Sequence, residues 1–251
     1  MAGSQPSPVE AERPAVQASS RTVFSGERTL TAPEPDLGPE LVPDTRLKMD
    51  GLAFLTSLPA NSMPAAFLDP QYRGVLDKMA YGNEGKSRER ARVALPQMTE
   101  DHIARFVVGI DRCLMPSGHL FLWIDKFHLC TGIAPWLEGT SLETVDLLTW
   151  DKQRMGMGYR TRRQAEYLVV LQKSPKRAKG VWSVHNIPDV WGEKVPRGGH
   201  AHRKPVGLQA ELIAAVTGEG DIVIDPAAGS FSVMEACRRT GRRFLGCDIN
   251  G

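Results

Sequence analysis

The chain has 251 residues, 41% hydrophobic and 24% charged, a globular composition that excludes fibrous, collagenous and wholly disordered classes. No uninterrupted apolar stretch approaches the ~20 residues of a membrane span, and the N-terminus has no apolar signal-peptide core, so a cytoplasmic protein with no membrane partner is expected. The net charge of +2 hides an asymmetry: residues 1–46 carry four Arg against seven acidic side chains, residues 151–204 thirteen Lys or Arg against four. Such a block points to a phosphate-bearing partner or, more blandly, to a solvated basic face.

In chain order, residues 1–44 hold seven of the eighteen prolines and only scattered apolar residues, too little to offset chain entropy, and read as a flexible tail. The apolar run 65–68 ends at Asp69-Pro70 and predicts a buried strand. Ile103, Phe106, Val107, Ile110 and Leu114 keep helical spacing, Met115-Pro116-Ser117-Gly118 breaks the helix, and 119–124 predicts a second buried strand. Further strands are expected at 144–150 and 167–171. Lys204-Pro205 opens a helix whose apolar face is Leu208, Leu212, Ile213 and Val216. A strand at 221–225, a helix at 233–239 and a strand at 244–248 complete the pattern. Alternation of this kind predicts an α/β fold with a doubly wound, mostly parallel sheet.

Two strand ends carry the chemistry. One reads Asp225-Pro226-Ala227-Ala228-Gly229-Ser230-Phe231, an apolar strand emptying into a turn of small residues. Ligands bind outside the carboxyl ends of parallel strands, where small residues allow close backbone approach. Asp248 ends the next strand, where a carboxylate can accept from a ribose diol. Taken alone, this turn reads first as an ordinary tight turn in a sheet protein.

The other strand end, Asp69-Pro70-Gln71-Tyr72, changes that reading. It resembles the Asp/Asn/Ser-Pro-Pro-aromatic catalytic motif of the DNA amino-methyltransferases, and the 225–231 turn resembles their Asp-Pro-Phe-x-Gly-x-Gly cofactor motif. Catalytic motif first and cofactor motif last is the circularly permuted order of the beta class. His200-Ala201-His202-Arg203-Lys204-Pro205 is similar to the His-Pro-x-x-Lys-Pro element of that class, residues 147–152 and 166–170 to its intermediate blocks, and Lys48-Met49-Asp50-Gly51 to the Gly-Asp segment over the cofactor's adenine. The resemblance spans about residues 45–250.

It implies a Rossmann-like, S-adenosylmethionine-dependent methyltransferase domain at 45–251, with a short target-recognition insertion at about 174–203. Asp50, Lys204, Pro205, Asp225, Pro226, Ala227, Ala228, Gly229, Ser230, Phe231 and Asp248 would form the cofactor site. The catalytic set would be Asp69, Pro70, Gln71 and Tyr72. An exocyclic amine is a poor nucleophile while its lone pair is delocalised into the ring. The Asp69 carboxylate and Pro70 carbonyl would accept the two amine hydrogens and turn the lone pair toward the donor methyl. Tyr72 would stack on a base flipped from the duplex.

Departures from the family pattern are Gln71 in place of the second Pro, Ala227 where Phe is usual, and Phe231 where Gly is usual. The chain also stops three residues after Asp248, where relatives continue into another helix.

Asp at the first catalytic position favours adenine N6 over cytosine N4, whose relatives more often carry Ser there. Arg154, Tyr159, Arg160, Arg162, Arg163, Lys176, Arg177 and Lys179 are candidates for nucleic-acid contact, combining phosphate neutralisation with base stacking. His185, His200 and His202 lack acidic or Cys partners at ligand spacing, so no metal is expected. The expectation is a DNA adenine-N6 methyltransferase, bacterial or phage-encoded. Cytosine-N4 methylation, RNA methylation and a noncatalytic nucleic-acid-binding subunit stay open. Relatives are often dimers, which leaves a homodimer open too.

Overall fold

The computed structural model describes residues 28–71, 98–156, 160–194 and 203–251. Its strands, in chain order, are β1 (Leu47–Lys48), β2 (Met63–Leu68), β3 (Leu114–Ile124), β4 (Leu142–Asp151), β5 (Ala165–Lys173), β6 (Val190–Gly192), β7 (Ile222–Asp225) and β8 (Arg243–Asp248). They lie side by side as β1-β8-β7-β2-β3-β5-β4-β6. The described helices are α1 (Gly51–Ser57), α2 (Glu100–Cys113), α3 (Lys126–Thr131), α4 (Ala134–Leu137), α5 (Val206–Val216) and α6 (Ser232–Thr240). The strands β1, β8, β7, β2 and β3 are parallel, and β5 runs antiparallel between β3 and β4. The expected mostly parallel, helix-covered sheet is therefore present.

Side-chain parity builds two cores. From β2 and β3, Leu68, Leu120, Leu122 and Ile124 enter one core with Phe54 of α1 and Phe106 of α2. Phe67, Phe121 and Trp123 enter the other with Leu208 and Leu212 of α5 and Met234 of α6. A sheet buried on both faces needs strands apolar at successive positions, and β2 is buried at all six.

The chain leaves β7 through α6 toward β8, whereas it leaves β2 through α2 toward β3. Strand order therefore reverses between β7 and β2, and a crevice opens at their carboxyl ends. Asp225 and Asp69 stand on either side of it.

Two expectations need correction. The strand expected at 119–124 starts earlier: the helix ends at Cys113, β3 begins at Leu114, and its register with β2 jumps from Met63↔Leu114 to Ala65↔His119. This bulge absorbs Pro116, Gly118 and the positive φ of Ser117, and it tolerates Pro64 inside a central strand.

The tail boundary also moves, because residues 28–44 pack on the domain. Arg28 pairs with Asp221 at 3.3 Å, Thr29 N–H donates to Gly180 O at 2.8 Å, and Glu34 pairs with Arg243 at 2.7 Å. Leu41 enters the first core, and Asp44 exchanges hydrogen bonds with the Phe244 backbone.

Of the recognition insertion expected at about 174–203, residues 174–194 are described, and most of them are exposed. Trp182, Val184, Ile187 and Trp191 pack against the second core. Glu193 accepts from Gly207 N–H at 3.0 Å and Leu208 N–H at 3.1 Å, capping α5 where Pro205 offers no side-chain cap.

Candidate active site

At the end of β7 the Asp225 carboxylate accepts from Ala227 N–H at 3.1 Å, and Ala228 N–H donates to Cys247 O at 2.9 Å, which fastens the turn to β8. Gly229 (φ +47°) and Phe231 (φ +55°) are both left-handed. Glycine is the usual residue in that conformation, since a bulky side chain resists it. Phe231 is held there by burial: its ring meets Phe244 edge-on at 6.0 Å and lies under the Arg46 guanidinium at 5.0 Å. Gly51 closes the opposite wall, and a Cβ there would collide with Pro226 O and the Phe106 ring. Burial pushes the Asp225 carboxyl up to about 8 against the pull of Ala227 N–H, with the charges of Asp69 and Asp248 adding to the rise.

The end of β2 is charged instead. Lys204 Nζ lies 2.9 Å from Asp69 Oδ2 and 2.9 Å from Glu166 Oε2, and Lys152 Nζ lies 3.0 Å from Glu166 Oε1. Lys204 also sits 5.1 Å above the Trp123 ring. Burial works against the Lys204 charge, yet Asp69 and Glu166 together hold its proton well above the ordinary lysine range. For Glu166, burial raises the carboxyl, but Lys204 and Lys152 outweigh it and bring it down to about 2.

Both strand ends open on one cavity of about 670 Å³, within the range of small-molecule sites. Of the expected site residues, Asp50, Asp69, Gln71, Lys204, Asp225, Pro226, Ala227, Ala228, Gly229, Ser230 and Asp248 line it. Asp50 is also the N-cap of α1, accepting from Leu52 and Ala53 N–H. Pro70, Pro205 and Phe231 do not line the cavity. Pro70 is buried beside it, Pro205 starts α5, and Phe231 supports the turn from below. Tyr72 lies outside the described residues.

Reading the sequence alone missed Glu166, Trp123 and Arg46 as site residues. Parity held the signal for the first two. Leu168 and Val170 of β5 face the second core, so Glu166 continues that face, just as Trp123 follows Phe121 on β3.

The structure splits the basic block. Residues 152–156 and 160–164, between β4 and β5, lie beside the carboxyl ends of the parallel strands, since Tyr167 of β5 pairs with Ile124 of β3. Arg154, Arg160 and Arg162 are exposed there, Arg163 is half-buried, and Tyr159 falls outside the described residues. Lys176, Arg177 and Lys179 follow β5 at the opposite edge, where Gln172 pairs with His119, and Lys176 binds Glu143 at 2.7 Å. A linear charge count cannot register that β5 runs antiparallel. Among the described residues, no His, Cys, Asp or Glu cluster could hold a metal ion, and no helix is long and apolar enough to cross a membrane.

Residues 102–251 match the DNA methylase family N6_N4_Mtase. The chain is 58% identical over 203 residues to the type II methyltransferase M.HhaII of Haemophilus parahaemolyticus, covering 80% of this chain and 89% of that protein. Its fold resembles the crystal structure of the M1.HpyAVI–SAM complex (TM-score 0.56, 16% identity, 81% and 92% of the two chains). It also resembles the cytosine-N4-specific PvuII DNA methyltransferase (TM-score 0.62, 14% identity, 86% of each chain). With two Asp-Pro strand ends facing one crevice, and a family match over the later part of the chain, the protein belongs to the DNA methylases.

Proposed function

We propose that this methylase transfers a methyl group from S-adenosylmethionine to adenine N6 in DNA, as the modification enzyme of a type II restriction-modification pair. The observation that carries this reading is the placement of Asp69 and the 225–230 turn on one cavity. The residues suit the donor: Gly229 faces open space and leaves room for close backbone approach, Gly51 lets α1 pack against the Pro226 backbone, and Asp248 ends β8 where a ribose diol can be held. Asp225, buried beside the turn, can face the donor's cationic amino-acid portion. The bound donor supplies an electrophilic methyl on a sulfonium.

The remaining work falls to the chain. Asp69 carboxylate and Pro70 carbonyl accept the amine hydrogens and localise the nitrogen lone pair, while Gln71 borders the base and Tyr72 stacks on it. Stacking is worth roughly 1–3 kcal/mol and offsets part of the unstacking cost. Arg154, Arg160, Arg162 and Arg163, between β4 and β5 at the carboxyl ends of the parallel strands, are the phosphate-contacting group in this reading, with Tyr159 proposed to stack on a base. Lys176, Arg177 and Lys179 fit DNA contact less well, being at the far edge.

The fold does not choose the base, since a cytosine-N4-specific enzyme shares it. Asp rather than Ser at position 69 supports adenine. A cytoplasmic setting and a homodimer rest on the resemblance to the beta class. Mass spectrometry of nucleosides from DNA methylated by the purified protein tests the reading. N6-methyladenine is expected, and N4-methylcytosine as the sole product would overturn the base assignment.

A further inference from the structure

Lys152, Glu166, Lys204 and Asp69 form a row of alternating charge, linked at 3.0, 2.9 and 2.9 Å, that ends on the catalytic aspartate. The four residues come from distant parts of the chain but share one face of the sheet. Asp69 continues the parity of Phe67, Glu166 that of Leu168, and Lys152 that of Trp150, all of which pack on the side covered by α5 and α6. Lys204 lies just before α5 on the same side, above Trp123.

Such a row is a poor source of stability. Desolvating charges offsets most of the Coulomb gain, and apolar residues of similar volume often serve as well or better. It does constrain geometry. An ammonium held between two carboxylates on different strands has little rotational freedom, and so fixes the carboxylate plane of each.

We propose that Glu166 is a positioning residue: held by Lys152, it holds Lys204, and Lys204 sets the orientation in which Asp69 meets the target amine. This rests on the catalytic role assigned to Asp69 above. Glu166 does not exchange protons in turnover. Lys204 keeps its proton because two carboxylates flank it, and Lys152 bears on Asp69 through Glu166 and Lys204.

The test compares wild type, Glu166→Gln and Glu166→Asp with duplex DNA as substrate, measuring kcat, KM for DNA, donor affinity by calorimetry, melting temperature and the pH–rate profile. A misplacement of order 1 Å in an oriented reaction costs about 100-fold. E166Q is expected to lower kcat by about that factor, with donor affinity and KM for DNA within about threefold of wild type. It should also introduce a loss of rate at alkaline pH, as Lys204, with one carboxylate partner gone, gives up its proton more easily. E166D should recover part of kcat and move the alkaline limb back.

Unchanged kcat in E166Q overturns the proposal. So does a kcat loss that follows melting temperature and donor affinity downward with no change in the pH profile, since that describes a structural brace. Absence of methyl transfer by wild type would instead refute the functional reading, which keeps the two failures apart.

Discussion

Two Asp-Pro dipeptides end adjacent parallel strands, and their surroundings put them in opposite electrostatic states. Asp225 is buried, accepts from the Ala227 backbone N–H, and its carboxyl is pushed up to about 8. Asp69 keeps a third of its side chain exposed and lies 2.9 Å from an ammonium that a second carboxylate holds in place. The same two residues on the same sheet therefore supply one enclosed carboxyl that holds its proton readily and another whose orientation is fixed by an ammonium. Environment rather than residue type assigns the roles.

The largest effect should come from Lys204→Met, which leaves Asp69 and Glu166 facing each other without their shared cation. Removing one partner of a fully buried pair costs about 3–5 kcal/mol. Both carboxylates keep a third of their surface, so a loss of about 2–3 kcal/mol in a denaturant titration, and a far larger loss of turnover, are expected.

Next in size, replacing Arg154, Arg160 and Arg162 together by Ala should weaken DNA binding and flatten its salt dependence by about 2–3 in the log–log slope. The matching triple change at Lys176, Arg177 and Lys179 should leave that slope nearly unchanged, which fluorescence anisotropy at several salt concentrations would show.

A further effect concerns Asp225 and pH. Its folded-state value lies above the ordinary carboxylate value, so the folded protein holds a proton the unfolded chain releases. That contribution to stability is complete below about pH 4 and falls as pH rises toward 8. In Asp225→Asn the melting temperature should decline less between pH 5 and 8 than in wild type, by differential scanning calorimetry.

Much of this was legible in the residues. The periodicity of 103–114, the apolar runs ending at Asp69, Asp225 and Asp248, and the apolar face of 208–216 each mark an element that the structure contains. The start of β3 was not, because Pro, Ser and Gly usually break strands and only the pairing with β2 shows that a bulge absorbs them. The docking of residues 28–44 rests on single contacts from scattered side chains, such as Leu41 and Glu34, with no period to read. Lys152 counted as one more surface charge until parity and the pairing of β4 with β5 placed it inward, against Glu166. Within the candidate site, the strand-end residues were readable and the supports beneath them were not.

The division of labour between the two strand ends can be measured with Asp69→Ala and Asp225→Ala side by side, recording donor affinity by calorimetry and methyl transfer at saturating donor. The account predicts a crossed result: Asp69→Ala binds donor within a few-fold of wild type but transfers almost nothing, and Asp225→Ala binds donor weakly yet regains much of its rate when the donor saturates. Equal loss of both properties in both variants would contradict it.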